Sequence, residues 1–208
     1  MPITKGKFLT LEGGEGCGKT TNLNYIADYL RSNGVNLITT REPGGTEISE
    51  KIRSLLLDKN NVDIHADTEL LMMFAARAQH LQQKILPAIN NGQWVLSDRF
   101  TDSTFAYQGA GRGIEVKKIE ALEQWVQAGF TPDKTFILDL PIEVGMERAA
   151  KRAELDRFES EKHEFFNHVR QGFLQRAKQN PSVYSVIDAT GDLKSVQHKI
   201  KIELDKLL

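Results

Sequence analysis

Residues 13–20 constrain the possible fold of this chain more than any other stretch of its sequence. They read GGEGCGKT, which fits the phosphate-loop pattern G-x-x-x-x-G-K-[ST]. An apolar run at residues 8–11 precedes the loop, and apolar residues at helical spacing follow it at 23–30. In a strand–loop–helix unit of this kind, backbone N–H groups and the positive end of the helix converge on one point. The sequence therefore predicts a phosphate-binding loop at the start of an α/β fold.

Side chains of this loop add chemistry to its backbone. Lys19 supplies a mobile charge for terminal phosphates, and the Thr20 hydroxyl is suited to holding Mg²⁺. Cys17 lies where a helix N-terminus favours a thiolate, but we interpret it as a small residue that the loop tolerates. The loop alone predicts binding of a nucleoside triphosphate with Mg²⁺.

Further strands alternate with helices along the chain. Runs at residues 35–40, 94–97, 135–140 and 183–187 are typical of buried strands, and amphipathic stripes separate them. This alternation predicts an α/β fold, with a parallel sheet covered by helices on both faces, in a single domain spanning 1–208. Because ligands of such sheets bind beyond the carboxyl ends of the strands, we expect the loops that follow the strands to share one rim.

Composition excludes several classes of partner. The formal net charge is -1, so bulk charge predicts no nucleic acid and no membrane surface as a partner. No apolar run approaches the ~20 residues that a membrane span needs. A single cysteine fits a reducing compartment, and we expect a cytoplasmic location.

Polar residues cluster after the third predicted strand. Asp98 at the end of that strand is placed to hold Mg²⁺ through water, and Arg99 offers a planar fork for a phosphate. On a helix, spacings of three and four residues bring hydroxyls, a phenol and an amide to one face. An amide both donates and accepts, so it suits a base edge; an exposed polar helix face is the alternative reading. The residues of this face are Ser103, Thr104, Tyr107 and Gln108.

For other candidate site residues, sequence spacing alone allows both a functional and a purely structural role. Phe74 and Arg77 lie one turn apart on a predicted helix. Either Phe74 stacks on a flat ligand and Arg77 reaches its polar edge, or Phe74 belongs to the hydrophobic core and Arg77 lies at the surface. Arg53 by itself reads as a surface arginine. The charged segment at 148–160 is either a solvated, salt-bridged run or a mobile lid that brings arginines over phosphates. Its arginines are Arg148, Arg152 and Arg157.

Taken together, these motifs resemble the thymidylate kinase family over nearly the whole chain. The phosphate loop is shared by many nucleotide-binding proteins, whereas the block D-R-F-T-D-S-T-F-A-Y-Q-G at 98–109 is specific. Residues 40–46 (TREPGGT), 53–57 (RSLLL) and 74–77 (FAAR) extend the match. Phe100 departs from the family pattern, in which Tyr or His is common.

The resemblance implies a five-stranded parallel sheet in the order 2-3-1-4-5, a homodimer, and phosphorylation of dTMP by ATP with Mg²⁺. It implies that the ATP phosphates are bound by Gly13, Gly14, Glu15, Gly16, Cys17, Gly18, Lys19 and Thr20. It implies contacts to dTMP from Glu15, Pro43, Arg53, Leu57, Phe74, Arg77, Arg99, Ser103, Thr104, Tyr107 and Gln108. The implied catalytic set is Lys19, Glu15, Arg99 and the basic lid of the bacterial type, with Arg148, Arg152 and Arg157.

Charge favours a phosphorylated acceptor. A phosphate monoester is already largely ionised at neutral pH, so it needs cations to hold two repelling groups in line rather than a base. A deoxynucleoside kinase, with Glu42 as the base, is the alternative among kinases; such enzymes typically have Ser where this chain has Phe100. A nucleotide-dependent switch is a more distant alternative, because no N-K-x-D-like motif follows the fourth strand.

Overall fold

The fold is built on a five-stranded parallel sheet. We describe residues 5–150, 157–158 and 161–208 of a computed structural model, without the side chains of 149 and 150. The strands run in the order β2-β3-β1-β4-β5, as the resemblance implied. Every predicted strand is present, with boundaries that differ by no more than two residues. The strands are β1 (Phe8–Gly13), β2 (Leu37–Arg41), β3 (Trp94–Asp98), β4 (Lys134–Asp139) and β5 (Tyr184–Asp188).

Helices cover both faces of the sheet in the described part of the chain. Two π-helical segments, Leu81–Ile85 and Phe105–Gly111, continue α3 and α5, respectively. The α-helices are α1 (Lys19–Ser32), α2 (Glu47–Leu57), α3 (Ala66–His80), α4 (Leu86–Asn90), α5 (Thr101–Thr104), α6 (Val116–Gln127), α7 (Ile142–Ala150), α8 (His163–Gln179) and α9 (Leu193–Asp205).

The central strand separates two parts of the core. Alternate residues of β1 point to opposite faces, so Leu9 and Leu11 pack with α1 and α9, while Phe8 packs against β3 and the segment after it. A third cluster on α8, including Phe166 and Phe173, packs against Ile137 of β4. Burial of β1 from both sides fixes where the phosphate loop leaves the sheet.

The loop after β1 makes a close backbone approach to α7. Gly16 has φ +70°, a left-handed conformation, and a Cβ there would lie 2.0 Å from the carbonyl oxygen of Gly145. A Cβ on Gly145 would in turn lie 2.5 Å from the carbonyl oxygen of Glu15. Two glycines thus allow the phosphate loop to rest directly on the backbone of α7.

This contact predicts the effect of Gly145→Ala. Alanine favours a helix over glycine by about 1 kcal/mol, so propensity alone would stabilise α7. We expect the opposite, a melting temperature lower by a few degrees and weaker ATP binding, because the new methyl displaces the loop. Thermal unfolding and nucleotide titration measure the two effects. A variant that is more stable and binds ATP normally would show that the loop does not depend on this contact.

Candidate active site

The carboxyl ends of β1, β2 and β3 border one cavity of about 230 Å³. One side is the phosphate loop, and the other is formed by α2, α3 and the helix after β3. The cavity is lined by Glu15, Gly16, Gly18, Lys19, Thr20, Glu42, Pro43, Arg53, Leu57, Met73, Arg77, Arg99, Phe100, Ser103, Thr104, Tyr107, Gln108 and Phe158. The rim expected from the sequence is therefore assembled in the described structure.

The phosphate loop leads directly into α1. Gly18, immediately before the helix, is left-handed with φ 88°. Lys19 Nζ folds back onto the loop and donates to the carbonyl oxygens of Gly13 (3.1 Å) and Gly14 (2.8 Å). Thr20 is exposed and lines the cavity. Gly14 and Cys17 face a second, smaller cavity toward β4 and α8 instead.

Arg99 connects the two sides of the cavity. Its Nη1 donates to the Gly13 carbonyl oxygen (3.0 Å) and to Ser103 Oγ (3.1 Å), and its Nη2 donates to Glu15 Oε1 (2.9 Å). The residue itself has φ +68°, a conformation that an arginine rarely adopts. The Ser97 hydroxyl donates to the Arg99 carbonyl oxygen (2.7 Å), and the Arg99 N–H donates to the Leu11 carbonyl oxygen (3.0 Å). Two neighbouring strands, β3 and β1, therefore hold the strained backbone of Arg99.

Tyr107 completes this group. Its hydroxyl donates to the same Glu15 Oε1 (2.7 Å), and the Arg99 guanidinium lies 4.9 Å from its ring centre. Burial raises the pKa of Tyr107 well above its ordinary value, although Arg99 acts in the opposite direction. The phenol therefore stays neutral and donates to Glu15, which keeps that carboxylate at a fixed place in the cavity wall.

Arg77 lies at the bottom of the cavity rather than at a surface edge. It is 3% exposed, and it donates to Glu42 Oε2 (2.7 Å) and Thr104 Oγ1 (3.0 Å). The other Glu42 oxygen is hydrogen-bonded to His80 Nδ1 (2.9 Å). The Arg77 Nη1 atom is buried without a partner among the described residues. A buried, unpaired guanidinium nitrogen beside a cavity suits an acceptor atom of a ligand.

Another arginine of the cavity wall lies on α2 and contacts the loop that follows β2. Arg53, on α2, donates from Nη1 to the carbonyl oxygen of Pro43 (2.8 Å), and both residues line the cavity with Leu57. The Glu42–Pro43 peptide bond is cis. The bond to the Pro43 carbonyl oxygen thus holds a cation in the cavity wall.

The helix after β3 presents the predicted polar face. Ser103, Thr104, Tyr107 and Gln108 all line the cavity. The helix is not regular, because a π-helical segment begins at Phe105 and widens it. Such wide turns are frequent at functional sites. Gln108 Nε2 donates to Glu69 Oε1 (2.9 Å), which holds the amide in place.

Some predicted site residues lie elsewhere in this structure. Phe74 is 2% exposed and packs in a core cluster, with the Arg77 guanidinium 4.8 Å from its ring centre, so it does not line the cavity. Arg148 is exposed on α7, and Arg152 lies outside the described residues. Arg157 does not line the cavity, and it donates to the Leu56 carbonyl oxygen (2.7 Å) and to Glu69 Oε2 (2.6 Å).

Sequence reasoning missed several residues of the wall. Met73 is four positions before Arg77 on α3, so helical spacing alone would have placed it on the same face. The sequence suggested only the role of a general base for Glu42, whereas the structure shows a salt bridge from Glu42 to Arg77. Phe158 lines the cavity next to Tyr107, with ring centres 6.1 Å apart, and no local pattern marked it.

A metal site would draw on few protein ligands here. Asp98 Oδ1 is buried without a hydrogen-bond partner in the part of the chain that the structure describes. Within those residues no three His, Cys, Asp or Glu side chains cluster as metal ligands. Mg²⁺ commonly keeps its waters and takes only one or two protein oxygens, together with substrate phosphates. Asp98 and the exposed Thr20 hydroxyl fit such a site.

The fold and the site together define a class. A phosphate loop follows the central strand of a parallel sheet in the order 2-3-1-4-5, and arginines face it across one cavity. This is the arrangement of a P-loop kinase. No helix of the described residues is long and apolar enough to cross a membrane.

Comparison with known proteins identifies the family. A family model for thymidylate kinase matches residues 11–200. The thymidylate kinase of Ectopseudomonas mendocina (strain ymp) is 57% identical over 203 residues, covering 98% of this chain and 97% of that protein. That of Ruthia magnifica subsp. Calyptogena magnifica is 49% identical, covering 99% and 100%. The crystal structure of thymidylate kinase from Ehrlichia chaffeensis aligns with a TM-score of 0.77 at 34% identity, covering 97% of this chain and 99% of that one. The chain belongs to the thymidylate kinase family.

A buried acid beside the site predicts how stability depends on pH. Glu12 at the end of β1 accepts from Phe100 N (2.7 Å) and Ser103 Oγ (2.6 Å). Burial first, and then the charge of Asp102, raise the pKa of Glu12 to about 8, while Arg99 lowers it. Between its ordinary value and about pH 8, the folded chain therefore holds a proton that the unfolded chain has released.

The Glu12→Gln variant tests this dependence. Because the folded-state pKa is raised, the Glu12 contribution to the free energy of unfolding falls as pH rises toward 8, by at most about 1.4 kcal/mol per pH unit. The neutral variant lacks this term, so its stability relative to the native chain improves from pH 5 to 8 and then levels off. Urea unfolding at pH 5.5, 7 and 8.5 measures the difference. Parallel stability curves would contradict a protonated Glu12.

Proposed function

We propose that this chain transfers the γ-phosphoryl group of ATP to the phosphate of dTMP, producing dTDP and ADP. The observation that carries the proposal is the shared cavity, which the phosphate loop lines together with Arg53, Arg77 and Arg99. A phosphate acceptor facing a triphosphate must be held against strong repulsion, and arginines supply the required field. Membership of the thymidylate kinase family supports the same reaction.

On the donor side, the loop is proposed to bind the phosphates of ATP. Its backbone N–H groups and the start of α1 form the cradle. Lys19 now bonds to carbonyl oxygens of its own loop, so a bound triphosphate would offer its ammonium group stronger, charged acceptors. The proposed ATP-binding residues are Gly13, Gly14, Glu15, Gly16, Cys17, Gly18, Lys19 and Thr20.

Mg²⁺ is proposed as the cofactor, held by Thr20 directly and by Asp98 through water. The unpartnered buried oxygen of Asp98 and the exposed hydroxyl of Thr20 support this assignment. When bound, the ion would neutralise charge on the transferring phosphates. Orientation of the two substrates depends on residues of the chain itself.

On the acceptor side, the dTMP phosphate needs orientation rather than deprotonation. Its second pKa is near 6, so it is largely ionised at neutral pH and can attack without a base. Arg99 is held between Glu15 and Ser103 and so places its charge directly beside the phosphate loop. The proposed dTMP contacts are Glu15, Pro43, Arg53, Leu57, Phe74, Arg77, Arg99, Ser103, Thr104, Tyr107 and Gln108, of which all but Phe74 line the cavity.

The same geometry argues against a deoxynucleoside kinase. That alternative needs a carboxylate free to take the proton of a 5′-hydroxyl. Glu42 was the candidate, but one of its oxygens is bonded to Arg77 and the other to His80. His80 Nε2 is in turn bonded to Thr40 Oγ1 (2.6 Å), so this network serves to hold Arg77.

The catalytic set is proposed to include Lys19, Glu15, Arg99 and arginines of the 148–160 lid. Arg148 begins this segment on α7, whose backbone contacts the phosphate loop at Gly145, and this supports a role for it on the donor side. Arg152 carries the family role by resemblance alone. Arg157 is proposed to act differently from the other two, because it bonds to Leu56 of α2 and to Glu69 of α3.

We also propose a cytoplasmic homodimer, on the basis of the family resemblance. Large apolar side chains are exposed on α3 and α6, including Leu71 at 55%, Val116 at 53% and Trp125 at 81%. Burial of such residues between two copies would remove apolar surface from water. Sedimentation equilibrium is expected to give twice the mass of one chain, and a monomer at micromolar concentration would refute the dimer.

A substrate panel tests the proposed reaction. With ATP and Mg²⁺, we expect turnover of dTMP that exceeds turnover of dCMP, dGMP and AMP by more than about a hundredfold in kcat/KM, because a site with fixed polar groups rejects bases that leave those groups unpaired. Thymidine should not be phosphorylated. A coupled assay for ADP measures all of these. Turnover of thymidine but not dTMP would replace the proposal with the deoxynucleoside kinase.

A further inference from the structure

A buried carboxylate outside the cavity accepts hydrogen bonds from cationic and amide donors in two other parts of the chain. Glu69, in the first turn of α3, is 1% exposed. Gln108 Nε2 donates to its Oε1 (2.9 Å), and Arg157 Nη2 donates to its Oε2 (2.6 Å). Arg112 approaches both oxygens at 3.4 Å. Glu69 does not line the cavity, so it can affect a ligand there only through its partners.

The contact with Glu69 determines how the amide of Gln108 is oriented. A carboxylate accepts hydrogen bonds and does not donate them, so the nitrogen end of the amide must face Glu69. The opposite end of the amide is its carbonyl oxygen, Oε1. Gln108 lines the cavity, and within the residues that the structure describes nothing donates to this oxygen. Gln108 therefore presents an acceptor to the cavity, although glutamine can in general present either polarity.

Arg77 presents the opposite polarity. Its Nε and Nη2 are bonded to Glu42 and Thr104, and the described residues provide no partner for the buried Nη1. A guanidinium has donors only. The cavity wall formed by α3 and the helix after β3 thus combines one acceptor, from Gln108, with one donor, from Arg77.

The two kinds of pyrimidine edge respond oppositely to such a pair. Thymine and uracil carry a ring N–H donor beside a carbonyl acceptor, whereas cytosine carries a ring-nitrogen acceptor beside an amino donor. We propose that Glu69 is a positioning residue that fixes the Gln108 amide and thereby selects a pyrimidine with an N–H edge over an amino-pyrimidine. This inference rests on the proposed function and assigns its base selectivity to a residue that does not touch the base.

The test is the selectivity of Glu69→Gln between dTMP and dCMP. A glutamine at 69 can donate or accept, so the Gln108 amide becomes free to turn and to present its nitrogen to the base. We expect the ratio of kcat/KM for dTMP to that for dCMP to fall by about tenfold or more. Inhibition of dTMP turnover by dCMP gives a second value for the ratio where dCMP turnover is too slow to follow.

Glu161→Gln is the matched control. Glu161 accepts from Arg112 Nη1 (2.6 Å), so this change removes one carboxylate from the same ionic cluster without a contact to Gln108. We expect the selectivity ratio to stay within about twofold of the native value, since loss of one partly exposed charge is a small perturbation. A similar loss of selectivity in both variants would mean that cluster charge matters rather than amide orientation, and would overturn the proposal.

A double substitution isolates the route through Gln108. Gln108→Ala should lower the ratio by itself, and adding Glu69→Gln should change it no further, because the amide that Glu69 orients is gone. An unchanged ratio in Glu69→Gln, with dTMP turnover intact in the native chain, would refute the inference alone. Absence of dTMP turnover in the native chain would instead refute the proposed function. Melting temperatures of all variants identify any general loss of fold.

Discussion

The rest of the site depends on the hydrogen bonds that the Arg99 guanidinium donates. It joins the phosphate loop, through Gly13 and Glu15, to the helix that carries Ser103 and Tyr107. One rigid fork therefore fixes the phosphate loop against the helix that follows β3, on two sides of the same cavity. Its strained backbone is stable only because β1 and β3, which are neighbours in the sheet, both bond to it. The sheet thereby fixes the position of Arg99 between the phosphate loop and the helix that follows β3.

A second network organises the bottom of the cavity by the same means. Glu42 leaves the end of β2 and bonds to Arg77 and His80, two residues of α3 one turn apart. Burying a charge is unfavourable unless opposite charges and hydrogen bonds compensate for it. Here the compensation is incomplete at Arg77 Nη1, so the site retains an unsatisfied donor where a substrate atom would lie. The bottom of the cavity therefore favours a ligand that places a hydrogen-bond acceptor at Arg77 Nη1.

The strands and the phosphate loop could be predicted from the sequence because both are local. Buried parallel strands give short apolar runs, and the loop pattern needs only its flanking strand and helix. The depth of Arg77 could not be predicted, since helical spacing gives a direction but not a distance from the surface. Its burial depends on Glu42 and Thr104, which are 35 and 27 residues away in the chain. Glu69 was missed for the same reason: an acid in the first turn of a helix is ordinary, and only contacts with 108, 112 and 157 distinguish it.

The π-helical segment Phe105–Gly111 has a consequence for how this protein can change in evolution. A wide turn contains one more residue than the α-helix around it, so it behaves as a stored single-residue insertion. Deleting one residue would restore regular helical hydrogen bonds, but it would rotate every later side chain by about 100° relative to those before it. Thr104 and Arg112 would then no longer face Arg77 and Glu69 together. The length of this helix is thus constrained by the contacts made on both sides of its wide turn, with Arg77 before it and with Glu69 after it.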